Sequence, residues 1–187
     1  RINELQQVLV DKGYKLPHVN VGGGLGINYD QPKDGPMADF SSYFSQFEQH
    51  MDLLPNQQLH FELGRSIIAQ CGSLISRVLY TKKGEGKTFM ILDAGMTELL
   101  RPALYRASHA IENLSSEKST EVYDVVGPIC ESSDAFSRGL SLPQTKRGDL
   151  IAIRSAGAYG EVMASQYNLR ELPASVYSDQ LEGNAEF

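Results

Sequence analysis

From His18 to Arg65 the sequence alternates short apolar strands with helical spacing, and each strand runs straight into a glycine-containing loop. His18-Val19-Asn20-Val21 leads into Gly22-Gly23-Gly24-Leu25-Gly26, and Gln58-Leu59-His60-Phe61-Glu62 leads into Leu63-Gly64-Arg65. Between them, Phe40, Phe44, Phe47 and Met51 predict a core-facing helix over 38–54, preceded by an Asp-, Pro- and Gly-rich loop over 27–38. Strand, loop, helix, strand is the repeat of a βα barrel, where functional groups gather at the C-terminal ends of the strands. Glycines directly after a strand let backbone N–H groups converge on an anion such as a phosphate, although a tight turn with close backbone packing accounts for them equally well. No Gly-Lys-Ser/Thr follows, so this is not a Walker loop, and the spacing makes no convincing dinucleotide fingerprint. Arg65, at the second strand's end, presents a planar fork of donors suited to phosphate or carboxylate.

Beyond Arg65 the pattern changes. Leu74 to Tyr80, the turn Lys83-Gly84-Glu85-Gly86 and Thr88 to Leu92 predict a hairpin, and further strands are expected over 109–113, 122–126 and 150–153. Short strands separated by turns indicate an all-β unit. We therefore place a boundary at 66–75: residues 1–70 read as the last part of a βα barrel, and 71–187 as a β-sandwich or β-barrel domain. The chain opens on Arg1 with no initiator methionine, and Ile2, Leu5, Val8 and Leu9 already mark one helix face that ends near Gly13. We expect the chain to be the C-terminal part of something longer.

At 187 residues and 41% hydrophobic content there is enough apolar material for a packed core. A net charge of -6 without a basic cluster argues against a nucleic-acid surface, no apolar run is long enough for a membrane helix, and a cytoplasmic protein with a small-molecule partner is the expectation. Cys71 and Cys130 make no disulfide framework, and the four histidines lack metal-ligand spacing, so no metal is expected. Chemistry points instead to Val125 to Glu131, an apolar run, a Gly-Pro turn and then a thiol beside a carboxylate. A lone cysteine is more often a small buried hydrophobe. Two further places look specific: Asp93-Ala94-Gly95-Met96 leading to Arg101-Pro102-Ala103-Leu104-Tyr105, and Ala156-Gly157-Ala158-Tyr159-Gly160, which brackets a tyrosine with small residues. Each alone also reads as a surface turn or packed aromatic.

Taken in order, VGGGLGINY, FELGR, LDAGMTELLRPALY, GPICESSD and AGAYGEVMASQYN resemble the C-terminal half of the diaminopimelate decarboxylases, pyridoxal-phosphate enzymes of the alanine-racemase-like fold type. The resemblance covers roughly residues 1–175. It implies that Gly22, Gly23, Gly24 and Gly26 bind the cofactor phosphate, that Glu62 contacts the pyridine nitrogen and that Gly64 and Arg65 belong to the same site, with Arg65 on the substrate. Leu63 stands where the family usually has proline. It further implies that Arg101 and Tyr105 bind substrate, Arg101 through the distal carboxylate, and that Tyr159 lies near cofactor phosphate and substrate. Cys130 would be the proton donor, delivered from the neighbouring subunit of a homodimer, and Glu131 would accept the distal amine of meso-diaminopimelate on the way to lysine.

The family's cofactor-bearing lysine lies in a Tyr-Ala-x-Lys-type motif that is absent here, and Lys82, Lys83 and Lys146 sit in polar turns that would not activate an amine. The polypeptide is therefore expected to be inactive alone. Two alternatives remain: a decarboxylase of the same fold type acting on ornithine, arginine or carboxynorspermidine, or a non-catalytic homologue that binds a protein partner. The former typically carry aspartate after the cysteine, and here Glu131 follows.

Overall fold

The computed structural model describes residues 1–32 and 38–181, so part of the loop expected over 27–38 lies outside the described residues. Helix α1 (Ile2–Asp11), strand β1 (His18–Asn20), helix α2 (Phe40–His50), strand β2 (Gln58–His60) and the one-turn helix α3 (Arg65–Ile68) come first. Strands β3 (Leu74–Gly84) and β4 (Lys87–Leu92), helix α4 (Arg101–Tyr105), and strands β5 (Ile111–Asn113), β6 (Thr120–Val126), β7 (Ala135–Pro143) and β8 (Leu150–Ile153) follow. No helix among the described residues is long and apolar enough to cross a membrane.

β1 and β2 pair in parallel, His18 opposite Gln58 and Asn20 opposite His60. Parallel strands require a crossover, and α2 supplies it. Asp39 caps α2 by accepting from the Ser42 N–H at 2.9 Å, and the Ser42 hydroxyl at 2.6 Å, followed by that N–H, holds its carboxyl below the usual range. Phe44 and Phe47 meet Phe61 edge-on at 4.9 and 5.0 Å between ring centroids. The expected helix over 38–54 is thus shorter, and its aromatic stripe is half-buried against β2's exit rather than fully enclosed. α1 departs further from expectation. Its apolar residues Ile2, Leu5 and Val8 are exposed, while Gln6 is buried and donates to the Asp52 carbonyl, and Asn3 bonds the Asp52 carboxylate. The helix docks through its polar side.

The six remaining strands form one mixed sheet, ordered β5-β8-β3-β4-β6-β7, whose edge strands β5 and β7 approach each other so that it nearly closes as a barrel. Alternation along β4 sends Met90 and Leu92 inward, while β8, flanked on both sides, buries Ile151, Ala152 and Ile153 consecutively. Each large side chain so buried contributes about 2 kcal/mol of hydrophobic stabilisation. The β3–β4 hairpin turns at Glu85-Gly86, where Gly86 takes the left-handed conformation expected of glycine. β7 was not expected from sequence, because Ser-Arg-Gly-Leu-Ser breaks its alternation. The break is real: Gly139 has φ +64, and its N–H donates not to the ladder but to the Asp124 side chain at 2.8 Å.

β4 and β6 are parallel neighbours inside this sheet, with Ile91 opposite Val126, so both end at the same place. The chain leaves β4 through Asp93-Ala94-Gly95 and leaves β6 through Gly127-Pro128-Ile129-Cys130, and the two exits lie side by side. Asp134 fastens them. Its buried carboxylate accepts from the Met96 N–H of one loop and the Ile129 N–H of the other, each at 2.7 Å, and the Gly127 N–H reaches its carbonyl at 3.1 Å. A Cβ on Gly95 would lie 2.8 Å from that carboxylate and one on Gly127 closer still, so both glycines are needed for the approach. Burial raises the Asp134 pKa, partly offset by the two backbone donors. Asp134→Asn leaves one amide N–H facing an N–H and is expected to cost about 2 kcal/mol of stability, seen as a lower urea midpoint; an unchanged midpoint would remove Asp134 as the fastening.

Candidate functional site

The parallel register of β1 and β2 brings their exits together. Val21 N–H donates to His60 O at 3.1 Å and Glu62 N–H to Gly22 O at 2.8 Å, which places the glycine loop beside Glu62. Asn20 connects the two: its amide donates to Glu62 Oε1 at 2.7 Å and its carbonyl oxygen accepts from the Gly22 N–H at 2.8 Å. Gly22 and Gly24 have φ +72 and +106, and a Cβ on Gly23 would run into the Glu62 carbonyl. The N–H groups of Gly23, Gly24 and Gly26 have no protein acceptor among the described residues. This is an open cradle of donors with a carboxylate held at its rim, which a phosphate-bearing ring with a basic nitrogen fits.

Arg65 opens α3 just after Gly64, and its guanidinium lies 5.9 Å from the centroid of the Tyr159 ring. A Cβ on Gly64 would be 3.7 Å from the Tyr159 hydroxyl, an ordinary van der Waals contact, so Gly64 lies directly beside that hydroxyl. Tyr159 itself has φ +62, a conformation that costs a bulky residue energy. Glu62, Gly64, Arg65 and Tyr159, named from sequence, therefore belong to one region with Gly22, Gly23, Gly24 and Gly26. Next to it, sequence reasoning missed a pair: His18 Nδ1 and His60 Nε2 are 3.0 Å apart, brought together only by strand register. No third metal-ligating side chain joins them among the described residues.

The second group sits on the crossover that parallel pairing of β4 and β6 demands. Arg101-Pro102 begins the short helix α4, which sequence spacing alone did not reveal and which Arg106 ends in the left-handed conformation. Arg101 is only 5% exposed, with its guanidinium 4.6 Å from the centroid of the Tyr29 ring and 3.4 Å from His109 Nε2. Among the described residues no carboxylate pairs with it. A buried cation lacking an anion is unfavourable unless a ligand provides one. His109 stands behind it, with Nδ1 2.8 Å from the Arg154 carbonyl, so that Nδ1 carries the proton and Nε2 accepts from Arg101. Burial lowers its pKa, and the nearby Arg101 charge lowers it further. His109 was read from sequence as part of a strand; it precedes β5 instead. Tyr105, at the helix end, is exposed.

Cys130 and Glu131 form the third group. Both are exposed at the turn that Asp134 closes, and Cys130 is a free thiol, contrary to the buried role most lone cysteines take. Glu131 Oε1 accepts from the Tyr167 hydroxyl at 2.7 Å. The same bond, followed by the charge of Glu131, raises the Tyr167 pKa. Cys71 is also free and exposed.

Residues 9–157 match the family model described as the C-terminal sheet domain of the pyridoxal-dependent decarboxylases. A diaminopimelate decarboxylase of Bacteroides thetaiotaomicron is 59% identical over 97% of this chain and 47% of its own length. The crystal structure of diaminopimelate decarboxylase from Helicobacter pylori complexed with L-lysine superposes with a TM-score of 0.74 at 40% identity, over 89% of this chain and 41% of that one. The lysine/ornithine decarboxylase of Vibrio vulnificus complexed with cadaverine, at 23% identity, TM-score 0.79 and coverage of 90% and 46%, shares the fold. The chain thus spans less than half the length of the relatives it matches, and over that span it belongs to the pyridoxal-dependent decarboxylases, whose C-terminal sheet domain it carries.

Proposed function

We propose that the chain is the C-terminal part of a diaminopimelate decarboxylase, with residues 1–70 completing a cofactor-binding βα barrel and 71–187 forming the β domain. The observation that carries this reading is Arg101, a buried guanidinium with no protein anion beside it among the described residues. A substrate with a second carboxylate far from the reacting carbon supplies that anion; ornithine and arginine do not.

Pyridoxal phosphate fits the residues present. The unengaged N–H groups of the Gly22–Gly26 loop would hold its phosphate, and Glu62, oriented by Asn20, would keep the ring nitrogen protonated. When bound, the cofactor supplies the electron sink that lets the substrate lose CO2. The lysine that anchors it is, on this reading, upstream of Arg1. Arg65 and Tyr159 orient the substrate end nearest the cofactor, while Arg101 and Tyr105 hold the distal carboxylate, so remote binding energy aligns the bond that breaks. Cys130 Sγ–H gives its proton to the carbon that CO2 leaves, and Glu131 takes the distal ammonium. Exposed at a turn, these two serve the site of a second copy in a homodimer, in the cytoplasm, in lysine biosynthesis.

The test is CO2 release by the chain extended upstream to the length of its relatives, with pyridoxal phosphate and meso-diaminopimelate beside ornithine and arginine. Turnover of diaminopimelate alone is expected, falling by about 100-fold or more in Cys130→Ala; preference for ornithine or arginine overturns the substrate assignment. pH provides a separate check on the Arg101 pocket. The His109 pKa is depressed from 6.5, so the stability its neutral form contributes is complete above that value and is lost as pH falls through the lower folded-state pKa. Protonation also turns Nε2 from acceptor to donor and sets a positive charge against Arg101. KM for diaminopimelate is therefore expected to rise as pH drops below the ordinary histidine range, and His109→Gln to flatten that rise.

A further inference from the structure

Tyr167 lies on a segment that the mechanism above does not use, yet that segment is fastened to the site on both sides of it. Before it, the Ser165 N–H donates to the Thr97 carbonyl at 2.9 Å. After it, Arg170 pairs with the buried Glu98 at 3.1 Å and also donates to the Asp93 carbonyl. Glu98 in turn accepts from the Gly95 N–H at 2.6 Å and the Thr97 hydroxyl at 2.8 Å. The strap is thereby tied to the β4 exit loop, which Asp134 ties to the Cys130 turn. Tyr167 is held over Glu131 by this frame, although half of its surface is open to solvent.

We propose that Tyr167 is a positioning and specificity residue for the proposed reaction: by donating its hydroxyl proton to Glu131 Oε1 at 2.7 Å, it fixes the carboxylate so that Oε2 meets the distal ammonium of the substrate. A free glutamate at an exposed turn samples several rotamers and loses that freedom on binding. A phenol already bonded to one oxygen removes part of that cost and leaves the second oxygen's lone pairs for the ligand. Tyr167 stays a donor because the carboxylate it faces disfavours its ionised form. The inference rests on the assignment of diaminopimelate as substrate, and it adds a residue that discriminates at the amine end, complementary to Arg101 at the carboxylate end.

The experiment is steady-state kinetics of the upstream-extended holoenzyme with meso-diaminopimelate, and with 2-aminopimelate, which keeps the distal carboxylate but lacks the distal amine, as competitive inhibitor. Tyr167→Phe is expected to raise KM by about fivefold, the scale of one hydrogen bond, with kcat and the inhibition constant of 2-aminopimelate unchanged. In a Glu131→Gln background the same change is expected to have almost no further effect on KM. An unchanged KM in Tyr167→Phe overturns the inference and leaves the substrate assignment intact. So does a KM increase matched by equal weakening of 2-aminopimelate, or one accompanied by a lower melting temperature and a lost kcat, since each marks a merely structural role. Wild-type enzyme inactive on diaminopimelate overturns the assignment itself, and the inference with it.

Discussion

One carboxylate, that of Asp134, holds together the end of the molecule where the thiol is displayed. Parallel pairing of β4 and β6 delivers two chain exits to the same edge of the sheet, but pairing stops at Ile91 and Val126 and the loops beyond have no ladder to order them. Asp134 replaces the ladder with side-chain acceptors for one N–H from each loop. Both loops are thereby committed to a single geometry. Everything attached to them inherits it: the Cys130-Glu131 turn on one side, and on the other Glu98, Arg170 and the strap bearing Tyr167. The cost is a desolvated charge near a second buried carboxylate, Glu98, and Arg170 lies close enough to relieve it. The same device recurs at the other end of the chain. There β1 and β2 run parallel, and Asn20 stitches the glycine loop to Glu62 by offering a donor to one and an acceptor to the other.

Local chemistry made much of this visible before any coordinates. Periodicity located α1, β1, α2, β2, the β3–β4 hairpin and β8, because each carries its own pattern and its own turn residues. β7 escaped because its ladder is interrupted by Gly139 and repaired by Asp124, and a repair made from another strand leaves no trace in the local pattern. α4 escaped because five residues are too few to show a period. The polar docking of α1 escaped for a different reason: amphipathicity predicts which face is apolar, not whether the described residues cover it.

The site was legible as residue types and far less as groupings. Cys130, Glu131, Arg65, Arg101 and Tyr159 each read alone as an ordinary turn or packed residue, and it is the order of the motifs that carry them, matched to one family's pattern, that singles them out. Asn20, His109, Asp134 and Tyr167 carry no such signal, since each acts through a partner many positions away in sequence. Asp134 had a faint one: the spacing of Gly95 and Gly127, two glycines after two strands, marks where something must approach the backbone closely.

Charge accounting then separates the scaffold from the ligand site. Each buried carboxylate of the sheet domain's exit loops is met from within the chain: Glu98 by Arg170 and two donors, Asp134 by two backbone N–H groups. Asp124, at the hairpin end, is met by Lys87 at 3.6 Å and Arg138 at 3.8 Å. Arg101 is as deeply buried as these groups, yet among the described residues it has a neutral imidazole and an aromatic face where they have opposite charges or N–H donors. Among the described residues Arg101 is thus a buried cation with no anion beside it, an arrangement that does not serve stability, since hydrophobic replacement of a buried charge is often neutral or stabilising. On the proposed reading the distal carboxylate of the substrate supplies the missing anion, which makes Arg101 the point at which the fold's energetics and its proposed substrate are coupled.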